Sequence, residues 1–503
     1  MSLVLSAIAE HAASRPDAMA LSDGEFGLTY SGLEKSVRET AQALKQSGAR
    51  TLGLALDNSP LWAVLDLAAI SSGQTVVPLP GFFSPSQLVH AISDSGVDLI
   101  LADRPEYLSL LENAGLKIIR VVERELCRKK YSEIHIENRA RSRIHSGTAK
   151  ITYTSGTTGQ PKGVCLGLAA LESVAQSLCQ ASLANPDDRH LCLLPLSTLL
   201  ENIGGIYVPL LAGAGVYLLP LRQVGLQGAA ALDVAQMLKA MHECRASSVI
   251  MVPQMLHALV AALGMGAARP AHLRFIAVGG APVALRLLQR AQQLGLPVYE
   301  GYGLSECASV VAVNAPGANR PGSVGKPLPH VRLKFAQDGE ISVAGPVFAG
   351  YLGQQECPDA EGYWPTGDTG YLDAEGYLHL TGRKRNMFIT SFGRNVAPEW
   401  VERELTIHPA IAQAAVFGEA RPWNAAVIVP RPLPNADMAN AVAEAIAAAN
   451  QLLPDYARVG KWITAGEPFT LHNGLLTSNG RLRRSEIMSR YEAQINELYR
   501  QEE

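Results

Sequence analysis

Residues 151–163 read ITYTSGTTGQPKG and hold four Thr, one Ser, three Gly, one Pro and one Lys. From Thr154 on, Ser155, Gly156, Thr157, Thr158 and Gly159 supply backbone N–H groups and four hydroxyls, and Lys162 adds a cation at the far end. Successive N–H groups make an anion-binding concavity, so the stretch suits a polyphosphate. It is not a Walker loop, because Gly156 and Gly159 stand too close and no Gly-Lys-Ser/Thr follows. The competing reading is a Gly/Ser/Thr linker. A linker fits poorly with a β-type run from Lys150 to Thr154 directly before it and Pro-Lys-Gly directly behind.

Four further clusters carry groups able to do chemistry. They are VGGAP at 278–282 followed by EGYGLSE at 300–306, YWPTGDTGY at 363–371, TGRKRN at 381–386 running on to GRNVAPEWVE at 393–402, and GLLTSNGRLRR at 474–484. Their order and spacing together are hard to obtain by chance.

The elements that must position these groups follow from hydrophobic periodicity. Ser31-Gly-Leu-Glu34 reads as a capping box, Leu33, Val37, Ala41 and Leu44 then share one helical face, and Gly48 stops the helix. Strands are expected at 51–56, 97–102, 249–252 and 275–278, each followed by a loop or helix. Alternation of strand and helix implies α/β layers with mostly parallel sheet, whose ligands sit beyond the carboxyl ends of the strands. After about residue 385 the pattern changes to a short helix at 398–405, an antiparallel pair at 411–417 and 425–429, and an Ala-rich helix at 439–452. The expected organisation is a large α/β domain, 1–384, and a small α+β domain, 385–503.

Bulk properties narrow the function. At 503 residues the chain exceeds one ordinary core. Hydrophobic content of 48%, 18% charged residues and a net charge of −3 describe a globular chain with no basic footprint for nucleic acid. Seven cysteines, scattered and never CxxC, argue against a disulfide framework or zinc motif and for a reducing compartment, so a cytoplasmic location is expected. No signal peptide is read at the N-terminus. Residues 203–221 are uncharged, but their Gly and Pro content suits a buried helix, a turn and a strand rather than a membrane span. Peripheral membrane contact stays open.

Together the clusters resemble the acyl-adenylate-forming superfamily of AMP-binding enzymes: acyl- and aryl-CoA synthetases, nonribosomal adenylation domains and beetle luciferases. Within it the chain is most similar to fatty acyl-CoA ligases, long-chain ones especially. The resemblance implies activation of a carboxylic acid with ATP and Mg2+ to acyl-AMP and pyrophosphate, then transfer to CoA or to a carrier protein's phosphopantetheine.

The same resemblance assigns residues. Thr154 to Lys162 would be the β/γ-phosphate loop, with Lys162 catalytic. Glu306 and Thr154 would hold Mg2+, which takes carboxylates plus phosphates and water. Gly280, Ala281, Pro282, Glu300, Gly301, Tyr302, Gly303 and Ser305 would border the nucleotide. Asp368 would accept the ribose hydroxyls, Arg383 would donate to ribose or phosphate, and Arg385 would be the hinge of the small domain. Thr198, Asn202, Val252, Gly279, Ala308 and Ser309 are the acyl-pocket candidates. Two departures stand out. Thr198 occupies the place of a gating His in PLST (195–198). Arg481 replaces the catalytic Lys, keeping the charge on a planar fork. Arg483 and Arg484 are neighbouring cations able to stand in. Arg481 opens a third reading, in which the chain binds nucleotide with little turnover.

Overall fold

A computed structural model describes residues 2–137, 143–154, 161–227, 231–354, 356–433, 437–477 and 480–500. Ser155, Gly156, Thr157, Thr158 and Gly159 lie outside the described residues.

Among the described residues, two large sheets build the α/β portion. The eight-stranded sheet has a parallel centre, in which Thr51–Ala55 lies between Thr75–Pro78 and Leu99–Ala102, and Thr75–Pro78 pairs with Thr148–Thr154. The nine-stranded sheet has a parallel run through Met19–Ser22, Gly215–Tyr217, Arg189–Leu191, Ser248–Met251, Phe275–Val278 and Val298–Tyr302. The helix Pro60–Ser72 is buried at every position from Pro60 to Ala69, because it packs within the largest core. Apart from Asp66 its faces are apolar as far as Ile70, and such a helix is stable only inside a core.

The helix Tyr30–Gln46 buries Leu33, Val37, Ala41 and Leu44 and gives way to Gly48 at φ 72°. Its cap differs from the expected Ser31 box. Thr29 is the N-cap, extended in backbone, and its hydroxyl accepts the Gly32 N–H at 3.2 Å. The uncharged stretch 203–221 resolves into a π-helical turn Asn202–Tyr207, the helix Val208–Ala212, a left-handed Gly213 and the strand Gly215–Tyr217. Among the described residues no helix is long and apolar enough to cross a membrane.

A four-stranded antiparallel sheet, not anticipated from the sequence, occupies 332–383. Beyond it a three-stranded sheet of Ile411–Phe417, Asn424–Pro430 and Val459–Thr464 carries a core on each face. Val416, Ala426 and Ile428 face the helices Pro398–Thr406 and Met438–Asn450, whereas Ala415, Ala425 and Val427 face Arg484–Arg500. That division is the period-two alternation of a strand.

Candidate active site

Antiparallel pairing of Tyr363–Leu372 with Leu378–Arg383 sets Asp368 opposite Arg383. Arg383 Nε donates to Asp368 Oδ1 at 2.7 Å, and the Tyr302 hydroxyl, from the end of Val298–Tyr302, donates to Oδ2 at 2.8 Å. Burial first, then the Asp368 charge, pushes the Tyr302 phenol far above its ordinary range, so it stays a neutral donor. A carboxylate has about four lone-pair sites, so Asp368 keeps capacity for two further donors, such as a vicinal diol.

A second chain of contacts forms nearby. Glu306 sits on the short 3-10 turn Ser305–Cys307, and its Oε1 accepts the Tyr351 hydroxyl at 2.7 Å. Tyr351 is held by Gly350–Tyr351 pairing with Lys162–Gly167, and Lys162 Nζ lies 4.8 Å from the Tyr351 ring centroid. Thr154 pairs with Lys162 at the neck of the hairpin. Neck cation, tyrosine and carboxylate are thus joined, and Tyr351 had no signal in the sequence because it is separated from Glu306 by 45 positions.

The backbone after Glu306 is strained. Ala308 and Ser309 have φ of 52° and 99°, which non-glycine residues seldom adopt. The turn folds back so tightly that a Cβ on Gly303 would lie 1.6 Å from the Ser309 carbonyl oxygen. Only glycine satisfies that approach. Glu300 is buried beside this turn and accepts the Val283 N–H at 3.1 Å. Burial pushes its carboxyl up to about 7, against smaller opposing pulls from that N–H and from Arg403.

Arg481 reaches the same cavity from the C-terminal portion. Its backbone closes a tight hairpin: Thr477 N–H donates to the Arg481 carbonyl at 2.7 Å, and Arg481 N–H donates to Thr477 Oγ1 at 3.0 Å. The guanidinium then donates to the Gly280 carbonyl at 3.1 Å. Arg484 is committed elsewhere: it bonds Glu402 Oε1 at 2.7 Å and Oε2 at 2.5 Å, with Glu399 at 3.7 Å. It therefore cannot stand in for Arg481. Arg385 borders the cavity with its side chain exposed, and partial desolvation followed by the adjacent Arg383 charge lowers its pKa.

Gly280, Ala281, Pro282, Glu300, Gly301, Tyr302, Gly303, Ser305 and Glu306 line one continuous cavity with Thr154, Lys162, Asp368, Arg383 and Arg481. Thr198, Val252, Gly279 and Ser309 line it too, and Thr198 Oγ1 is held by the Pro195 carbonyl at 2.6 Å.

Two pocket candidates are corrected. Ala308 is fully buried in the main core and does not line the cavity. Asn202 turns into the interior, where its carbonyl oxygen accepts from Lys150 Nζ and its amide donates to Asp66 Oδ2 at 3.1 Å. Tyr207 completes this buried quartet, donating to Asp66 Oδ2 at 2.6 Å, and Lys150 bonds Asp66 Oδ1 at 2.8 Å. Burial lowers the Lys150 pKa against the opposing pull of Asp66.

An α/β sheet with its cavity beyond the strand ends, rimmed by an aspartate–arginine pair, a tyrosine-bound glutamate and a hairpin lysine, defines a nucleotide-binding enzyme. The chain belongs to the AMP-binding enzyme family, whose model matches residues 8–352, while the AMP-binding enzyme C-terminal domain matches 386–503. It is 26% identical to a long-chain-fatty-acid–CoA ligase of Mycobacterium bovis, covering 88% of this chain and 86% of that one. It is 30% identical to a feruloyl-CoA synthase of an Amycolatopsis species, covering 82% and 86%. Among solved structures, o-succinylbenzoate CoA synthetase from Bacillus subtilis, in complex with its acyl-adenylate intermediate, matches at 25% identity and a TM-score of 0.77, covering 97% and 98%.

Proposed function

We propose that this chain is an AMP-forming acid–thiol ligase, which joins a carboxylic acid to ATP as acyl-AMP, releases pyrophosphate and passes the acyl group to CoA. One observation carries the reading: Asp368, Glu306, Lys162 and Arg481 border one cavity, although they come from distant parts of the chain. Joining two anions needs positive charge and preorganised donors, which Lys162, Arg383 and Arg481 supply. In this reading Asp368 takes the ribose hydroxyls, the residues around Gly280 and Tyr302 take the adenine, and Ser155 to Gly159 follow the phosphates. Glu306 suits Mg2+, since Tyr351 orients one of its oxygens at a cavity wall. Bound there, the ion neutralises phosphate charge. The Arg481–Gly280 contact fits the adenylation posture of the small domain, 385–503, which would then turn about Arg385 for the thiol step.

For the acid we favour a fatty acyl chain. The small or apolar wall of Val252, Gly279 and Ser309 suits it, and the M. bovis relative acts on long-chain fatty acids. The feruloyl and succinylbenzoyl relatives keep aryl acids in the test panel. A carrier-protein thiol is the alternative acceptor. Arg481 in place of Lys favours a second reading, binding of nucleotide or acyl-AMP with little turnover.

The deciding experiment measures acid-dependent pyrophosphate release, then thioester formation with CoA and with a phosphopantetheinylated carrier protein. Asp368→Ala should remove most of the thermal stabilisation that MgATP gives the wild type. No stabilisation by MgATP or by an acyl-AMP analogue at millimolar concentration would sink both readings.

A further inference from the structure

Beyond the proposed nucleotide site, the cavity extends along the strands Ser248–Met251 and Phe275–Val278 of the nine-stranded sheet. On Ser248–Met251 the alternation of side chains puts Ser248 and Ile250 on the same face as Val252. Ala277, opposite Ile250, and Ser248 both line the cavity and stay partly exposed, although their strands are interior to the sheet. Val252 to Ser248 is four residues, about 13 Å at ~3.3 Å per residue.

The far end of this channel is polar. His190, opposite Ser248 in the register, is buried, and its Nδ1 is 2.9 Å from Ser248 Oγ. Its Nε2 is 3.3 Å from Glu201 Oε1, and Glu201 Oε2 accepts the Leu194 N–H at 3.3 Å. The Cys192 thiol donates to the Gly205 carbonyl at 3.7 Å, and burial, then the nearby Glu201 charge, pushes it well above its ordinary range. Gly205 makes the cluster fit, since a Cβ there would lie 2.6 Å from Glu201 Oε1 and 3.1 Å from His190 Nε2.

With the ring proton on Nε2, facing Glu201, Nδ1 is left to accept. The Ser248 O–H then donates to Nδ1, and the serine oxygen keeps its lone pairs for the channel it lines.

We propose that Ser248, oriented by His190 and Glu201, is a specificity residue for a carboxylic acid that carries a hydroxyl at its far end, at the point of the channel about 13 Å beyond Val252. This rests on the ligase reading above. An extended ω-hydroxy chain of about ten carbons spans that length, whereas a 4-hydroxycinnamate is too short for it. An acid lacking the hydroxyl leaves the serine oxygen desolvated and unmatched, which discriminates more sharply than a missing methylene does.

The test compares kcat/KM for pyrophosphate release within matched pairs: decanoate and 10-hydroxydecanoate, dodecanoate and 12-hydroxydodecanoate, cinnamate and 4-hydroxycinnamate. We expect the hydroxylated partner to win by about tenfold or more in at least one aliphatic pair. An aliphatic pair supports the assignment, and a preference confined to the aromatic pair, whose hydroxyl is too close to the carboxylate, would overturn it. Ser248→Ala should bring that ratio close to one, and Ser248→Thr should retain most of it. Ratios near one throughout the wild type, or a ratio that Ser248→Ala leaves in place, would overturn the assignment. So would stoichiometric zinc in the purified protein that Cys192→Ser abolishes, since it would make His190, Cys192 and Glu201 metal ligands. Absence of pyrophosphate with every acid is failure of the ligase reading instead. The same ratio is then read as Kd by calorimetry with ATP present, and equal Kd values within every pair overturn the assignment.

Discussion

The guanidinium of Arg481 donates to the carbonyl oxygen of Gly280 at 3.1 Å, joining residues 201 positions apart. In the proposed reaction that contact puts the positive charge of the small domain at the wall of the adenylate cavity, and it sets the terms for the first prediction.

Removing one preorganised stabiliser of a transition state costs about 100- to 1,000-fold in rate. Arg481→Ala should therefore slow acid-dependent pyrophosphate release by that order. Arg481→Lys should speed it above wild type, because an ammonium is not tied to a planar fork and is released from the Gly280 carbonyl. A Lys variant slower than wild type would mean that the site has adapted to the fork. Equal inertness of wild type and Ala variant, with MgATP binding intact, would favour the binding-only reading.

The carboxyl of Glu300 titrates near 7 in the folded protein against 4.5 for the ordinary side chain. Below pH 4.5 both folded and unfolded chains hold the proton. Between 4.5 and 7 only the folded chain does, so stability falls as pH rises through that window, by about 3 kcal/mol in all. Glu300→Gln should be more stable than wild type at pH 8 by up to that amount and nearly equal to it at pH 4.5. Denaturant unfolding at both pH values checks this, and a difference independent of pH would refute it.

Lys150 is buried with Asp66, Asn202 and Tyr207 as partners. Lys150→Met leaves the Asp66 charge uncompensated in the core and should cost about 3–5 kcal/mol of stability. Adding Asp66→Asn should recover part of that loss in the same denaturation assay. A single variant within 1 kcal/mol of wild type would be contrary to this account.

Arg385 lies two residues beyond the end of the strand Leu378–Arg383, where the chain passes toward the small domain. Arg385→Pro fixes φ at that position and restricts Lys384. If the small domain turns there, acyl-AMP formation should persist while transfer to CoA drops at least tenfold. Both half-reactions, followed separately in a variant with native unfolding behaviour, decide it, and equal losses remove Arg385 from that role.

What the sequence made legible was local. The strand Phe275–Val278 matches the expected span residue for residue, and the pair Ile411–Phe417 with Asn424–Pro430 matches to within a residue, because period-two patterning is a property of neighbours. The partners of the site residues were not legible. Tyr351 meets Glu306, and Arg484 meets Glu402 across 82 positions, through folding of separate elements. Asn202 was misplaced for a different reason. It begins a π-helical turn, whose i→i+5 bonding shifts the phase of the side chains away from the 3.6-residue period. The antiparallel sheet at 332–383 escaped notice because Gly and Pro interrupt its strands.

The 1.6 Å that would separate a Cβ on Gly303 from the Ser309 carbonyl has a bearing on how this enzyme can be changed. Around the proposed adenine site, shape is written in main chain, which tolerates no alphabet beyond glycine at position 303. Along the proposed acyl channel it is written in the side chains of Val252, Ile250 and Ser248, on a rigid strand whose backbone bonds do not depend on them. Mutational drift can therefore rewrite the acid while the nucleotide half stays fixed. A saturation library aimed at new acids should vary 248, 250 and 252 together and leave 303 alone.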